Sequence, residues 1–132
     1  MAYWLLKTEP VDYSYDDLVR DKQTVWEGVS NNLALKHLRS MKRGDLAFIY
    51  HTGKEKAVVG IAEVVKGSYS QTKGPSVVVD IKPKRILQKK VALSDIKSRK
   101  EFASFDLVRI SRLSVMPVSG KIWNAIINMA TE

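Results

Sequence analysis

Leu46-Ala47-Phe48-Ile49-Tyr50-His51, Thr52-Gly53-Lys54-Glu55-Lys56 and Ala57 to Val65 form the stretch on which the fold turns. Its outer pieces are apolar and rich in β-branched and aromatic residues, and its polar middle contains a glycine. The stretch therefore predicts a β-hairpin at the centre of the domain. Lys42-Arg43-Gly44-Asp45 reads as the turn that leads into it.

Toward the N-terminus, Tyr3-Trp4-Leu5-Leu6-Lys7 predicts a strand that Thr8-Glu9-Pro10 ends, because proline lacks a donor and restricts its predecessor. Ser14 can cap a helix over Tyr15 to Arg20, with Asp16 and Asp17 at its positive end. Thr24 to Val29 reads as a short strand interrupted by Gly28. Asn31 or Asn32 then opens a helix reaching about Met41, with Ala34, Leu38 and Met41 facing inward.

Toward the C-terminus, Gly67 to Pro75 reads as a long polar loop, and Ser76 to Lys82 alternates as a half-exposed strand does. A further strand is expected near Arg85 to Leu87, a short helix capped by Ser94 through Lys97, and extended chain from Phe105 to Ile110. Arg112 to Pro117 has the apolar alternation of a closing strand. Ser119 opens a last helix whose apolar residues include Ile122, Trp123, Ile126, Ile127 and Met129. Several strands among few, short helices predict an α+β fold, a mixed, partly closed β-barrel with short flanking helices, as one domain over residues 1–132.

With 45% apolar residues the chain carries enough for one core. The absence of cysteine excludes disulfide frameworks, thiolate metal sites and thiol nucleophiles. Neither a membrane span nor a leader segment is evident, so a soluble, unexported protein is expected. The net charge of +8 is uneven: residues 1–66 carry 10 basic and 9 acidic side chains, residues 67–132 carry 12 and 5. Such a surplus suits a polyanion, since neutralising phosphates releases counterions, although it equally serves solubility alone.

Trp4-Leu5-Leu6-Lys7-Thr8-Glu9-Pro10, Tyr13 to Leu18, Trp26-Glu27-Gly28-Val29, Leu38 to Asp45, Tyr50-His51, Val59 to Val64, Ile96-Lys97 and Arg112 to Val118 resemble the EVE family in content and order. The resemblance spans nearly the whole chain and implies a PUA-like fold. It further implies recognition of nucleic acid carrying a modified base, notably modified cytosine in DNA, held in a pocket beside the barrel without a reaction. Intracellular residence follows, cytoplasmic in a prokaryote and nuclear in a eukaryote. The chain departs from the usual family run at Ser30, Asn31, Asn32 and Leu35, which removes a cation and an aromatic face from the expected pocket edge.

Trp26 is the first candidate for stacking on an extruded base, with Gly28 allowing close backbone approach. Trp4 and Trp123 fall in apolar patterns that suit the core. Ser14, Asn31 and the backbone of the Lys7 to Pro10 loop offer donors and acceptors for a base edge. His51, Thr52 and Lys7 complete the expected pocket, and Arg39, Lys89, Lys90 and Arg112 the expected backbone contacts. Each has a plainer reading, Ser14 as a cap, Trp26 as a core anchor and the cations as solvated charge.

No nucleophile with its base, metal set or phosphate-cradling loop is present in the sequence, so no enzyme, cofactor or metal is expected. Modified DNA is the first expected partner. An RNA-binding module and a pocket for a free nucleoside-like metabolite are the alternatives.

Overall fold

The computed structural model describes residues 1–71, 73, 74 and 76–131. Six strands make one mixed sheet. They are β1 (Tyr3–Thr8), β2 (Thr24–Trp26), β3 (Leu46–His51), β4 (Ala57–Tyr69), β5 (Val78–Ala92) and β6 (Val115–Val118), in the order β2-β5-β4-β3-β1-β6. The expected hairpin is β3 and β4, antiparallel at the middle of the sheet. β1 lies parallel to β3, with Tyr3 opposite Leu46 and Thr8 opposite His51, and pairs antiparallel with β6 on its other side. The sheet curls into the half-barrel of a PUA-like α+β fold, with short helices around it.

The helices begin largely where local chemistry demands. Helix α1 (Tyr15–Asp21) has a capping box, in which Ser14 Oγ accepts from the Asp17 N–H and the Asp17 carboxylate accepts from the Ser14 N–H. Helix α2 (Asn32–Ser40) is capped by Asn31 and buries Ala34, Leu35 and Leu38. The last helix, α5 (Gly120–Thr131), starts beneath the Ser119 hydroxyl, which accepts from the Ile122 N–H at 3.2 Å. It stacks Trp123 on Phe48, ring centroids 3.8 Å apart, so Trp123 is core, as is Trp4.

Four expectations are corrected. β4 continues to Tyr69, so the polar connection is shorter than Gly67 to Pro75; Thr72 and Pro75 of that segment lie outside the described residues. The two strands expected over Ser76 to Lys82 and Arg85 to Leu87 are one, β5. Pro83 interrupts the pattern but sits opposite Ala62, at a register shift where the missing donor is tolerated. Helix α3 (Leu93–Lys97) starts at Ala92, without a side-chain cap, rather than at Ser94. Phe105 to Ile110 is not extended: α4 (Asp106–Arg109) forms there, closed by the Ile110 N–H on Asp106 O at 2.8 Å and by an Arg109–Asp106 ion pair at 3.2 Å.

Among the described residues no helix is long and apolar enough to cross a membrane. The two edge strands β2 and β6 are short, and the curl of the sheet brings the chain beyond β1, around β2 and before β6 together around one cavity. That cavity is the candidate site.

Candidate functional site

A cavity of about 650 Å³ opens between three pieces of chain. Lys7, Thr8 and Glu9 at the end of β1, with Asp12 and Tyr13 beyond them, form one wall. Thr24 to Asn31 form a second. Arg112 and Ser114, ahead of β6, form the third. Trp26 stands in that second wall because β2 pairs with β5, placing it opposite Val79. The residue is only 8% exposed, so Trp26 is at once part of the core and part of the cavity wall. Tyr13 meets it edge to face, 6.3 Å between centroids at 79°, and the Tyr13 phenol is held by donating to Asp21 Oδ2 at 2.9 Å.

Gly28 follows the tryptophan with φ +80°, and a Cβ there would meet nothing within 4 Å. The glycine serves the left-handed turn of the backbone rather than a close approach, which corrects its expected role.

Lys7 is half-buried. Its ammonium donates to Ser111 O at 2.8 Å and lies 5.7 Å from the centre of the Tyr50 ring, and burial holds its pKa below the usual lysine value. A partly desolvated ammonium with donors to spare is a stronger partner for an incoming oxygen than a free surface lysine. Asn31 Oδ1 is occupied as a helix cap, accepting from the Ala34 N–H at 3.0 Å. Arg112 is exposed at the rim.

Four of the ten residues expected at the site therefore come together in this cavity: Trp26, Lys7, Asn31 and Arg112. Ser14, His51 and Thr52 lie behind its walls. Ser14 caps α1. His51 is buried, its Nε2 accepting the Tyr15 N–H at 3.0 Å and its Nδ1 standing 2.6 Å from Glu55 Oε1. Thr52 Oγ1 donates to Glu9 Oε2 at 3.2 Å. Arg39 is exposed on α2, and Lys89 and Lys90 lie near the far end of β5 from Trp26. Tyr13 joins the cavity without having been singled out in the sequence, and Glu9 joins it where only the backbone of the Lys7 to Pro10 loop was expected, although both lie inside the blocks that carry the resemblance.

A family model, "EVE domain", matches residues 2–129. The chain belongs to the EVE domain family. It is 30% identical over 168 residues to thymocyte nuclear protein 1 of Gallus gallus, covering 99% of this chain and 69% of that protein. A Rhodopseudomonas palustris protein solved by NMR superposes with a TM-score of 0.93 at 38% identity, covering 99% of this chain and 94% of the other. Human THYN1, solved in complex with DNA containing 5-methylcytosine, superposes with a TM-score of 0.92, covering 100% of this chain and 99% of its own, and at 24% identity it shares the fold.

Within this EVE domain the departures from the family run separate into two kinds. Ser30 and Asn31 line the cavity, whereas Asn32 begins α2 and Leu35 is a core residue, 3% exposed. The expectation that Leu35 changes the pocket edge is corrected, because its side chain packs inside. Among the described residues no group of three or more histidines and carboxylates is placed to hold a metal ion.

Proposed function

We propose that this EVE domain is a non-catalytic nucleic-acid-binding module whose cavity takes up one base, a modified cytosine in DNA, turned out of its strand. The observation that carries the reading is the aromatic corner of Trp26 and Tyr13 in a cavity of about 650 Å³ that also presents Lys7 and Arg112. A base leaving its stack needs a flat apolar partner, and stacking on an aromatic ring returns on the order of 1–3 kcal/mol. Lys7, Arg112 and the loop backbone supply donors for base and phosphate oxygens beside it. That a protein of the same fold has been solved with 5-methylcytosine-containing DNA supports DNA as the polymer.

The reading assigns no reaction. Both ring nitrogens of His51 already have protein partners, which leaves neither for proton transfer to a ligand. Ser14, His51 and Thr52 then act by holding the walls, while Arg39, Lys89 and Lys90 serve phosphates outside the cavity.

The test must spare the fold. Because Trp26 is buried, Trp26→Ala would cost about 3–5 kcal/mol of stability, so Trp26→Leu, which keeps apolar bulk and removes the flat face, is the better variant. Short DNA and RNA strands and duplexes, with and without 5-methylcytosine, are titrated against both proteins. The modification-dependent part of the affinity should fall about tenfold or more in a folded Trp26→Leu variant, while the salt-dependent background persists. An unchanged preference would exclude the cavity, a preference for RNA would change the polymer, and binding of the free nucleoside alone would make the site a metabolite pocket.

A further inference from the structure

Three carboxylates line the cavity, and they are not equivalent. Asp12 and Glu27 are exposed, whereas Glu9 is partly buried and its carboxylate is fixed. Thr52 Oγ1 donates to Oε2 at 3.2 Å. From below, the loop after β3 closes against it: a Cβ on Gly53 would lie 2.7 Å from Oε1 and 2.8 Å from Oε2, so the carboxylate rests on the bare face of that glycine. The Glu9 carbonyl accepts from the N–H groups of Asp12 and Tyr13, which ties the same residue to the aromatic corner. Among the described residues Glu9 forms no ion pair, and Oε1 accepts no hydrogen bond. A carboxylate oxygen accepts about two, so Glu9 offers a held acceptor with open lone pairs beside the aromatic corner and the cations of the cavity, where Asp12 and Glu27 are exposed.

We infer that Glu9 determines specificity at this site by accepting a hydrogen bond from the exocyclic amino group of the bound base, so that the cavity selects a 4-amino pyrimidine over its 4-oxo counterpart. The inference rests on the base-binding reading of the cavity. A carboxylate is the acceptor that matches the amino group of cytosine. In thymine the same position carries a carbonyl oxygen, and acceptor would face acceptor. Because Thr52 and Gly53 fix the carboxylate, it cannot swing aside without losing its own contacts, and an unpaired polar group in a desolvated site is penalised heavily. 5-Methylcytosine and thymine share the ring, the methyl group and the sugar, so the exocyclic position and the adjacent ring nitrogen carry the whole distinction.

Fluorescence anisotropy with single strands that differ only in 5-methylcytosine or thymine at one central position reads this directly, since single strands remove differences in the cost of extrusion. The native protein should prefer 5-methylcytosine by about tenfold or more, and Glu9→Gln should reduce the ratio to within about threefold, because a carboxamide can present either its oxygen or its NH2. Glu101→Gln, which removes the same charge from a remote exposed site, should leave the ratio as it was. Thr52→Val keeps the carboxylate and removes its anchor; it should lower the ratio partway, and it tests the idea independently if Glu9→Gln does not fold. A native preference that survives in both variants overturns the role of Glu9 and leaves the cavity reading standing. Failure of the native protein to bind either strand overturns the cavity reading and this inference with it.

Discussion

Asp45 shows how much one buried side chain can organise. It is 4% exposed, and its two oxygens accept from the Ala2 N–H at 3.0 Å, the Trp4 indole N–H at 2.9 Å and the Lys42 N–H at 2.9 Å. These bonds join the start of β1 to the turn before β3, so the parallel register of β1 is anchored at its first residues. Burial alone would raise the Asp45 pKa, but the three donors outweigh it and hold the group below the usual aspartate value of 3.8. A depressed folded pKa contributes stability that is complete above that ordinary value and is lost as pH falls through the folded one. Urea melts should therefore weaken from neutral pH toward pH ~3. Asp45→Asn should cost about 1–3 kcal/mol at pH 7, since its NH2 faces donors it cannot accept from, and should flatten that acid-side decline. A variant as stable as the native protein at pH 7 would remove Asp45 from this role.

At the scale of elements, α1 is fastened to the hairpin through Tyr15. Its N–H donates to His51 Nε2 on β3, and its phenol donates to Ile61 O on β4 at 2.8 Å, burial pushing that phenol up to about 12. His51 must then carry its proton on Nδ1, toward Glu55, whose carboxyl is held below the usual range first by this bond. His51→Leu leaves a buried N–H at the first turn of α1 without an acceptor. It should cost about 1–3 kcal/mol and speed amide exchange in α1 more than in β3; equal exchange in both would refute the fastening. The start of α1 was legible in the sequence because a cap is local chemistry, and the same holds for Asn31 and Ser119. Phe105 to Ile110 was not, because a short apolar run suits a strand or a buried helix alike and the ion pair that favours α4 is one of many permitted by sequence. The unity of β5 was hidden by Pro83, whose tolerance depends on a register shift that only the partner strand reveals.

For the whole molecule, the cavity gathers residues that are scattered along the chain, at the end of β1, around β2 and ahead of β6, and their meeting follows from the curl of the sheet, because the strand order by itself sets β2 at the edge opposite β1 and β6. Trp26, Lys7, Asn31 and Arg112 could be nominated in the sequence from their chemistry together with the family resemblance, without which Trp26 reads as a core anchor. Tyr13 and Glu9 could not, because their roles come from a neighbour's ring and a loop's bare glycine. The basic surplus of the second half follows a different geometry. Trp26 pairs with Val79 near one end of β5, and Lys89 and Lys90 stand on the order of 30 Å of strand contour further on, with Lys90 bridged to Glu55 at 3.2 Å. Across the sheet, the register Thr8–His51–Ala57–Ala92 sets them about three strand spacings, roughly 15 Å, from the β1 wall of the cavity, so a strand of one or two nucleotides that fills the cavity stops short of them, whereas a duplex of ~20 bp spans a greater length, at about 3.4 Å per base pair. Replacing both lysines by alanine should accordingly leave a short strand's affinity and salt slope unchanged, and should reduce the slope for the long duplex by roughly two units, one per lost phosphate contact. Titrations at several salt concentrations with both lengths check this. Equal loss at both lengths would bring the lysines into the cavity's own footprint, and no loss at either would leave them as solvated charge on β5.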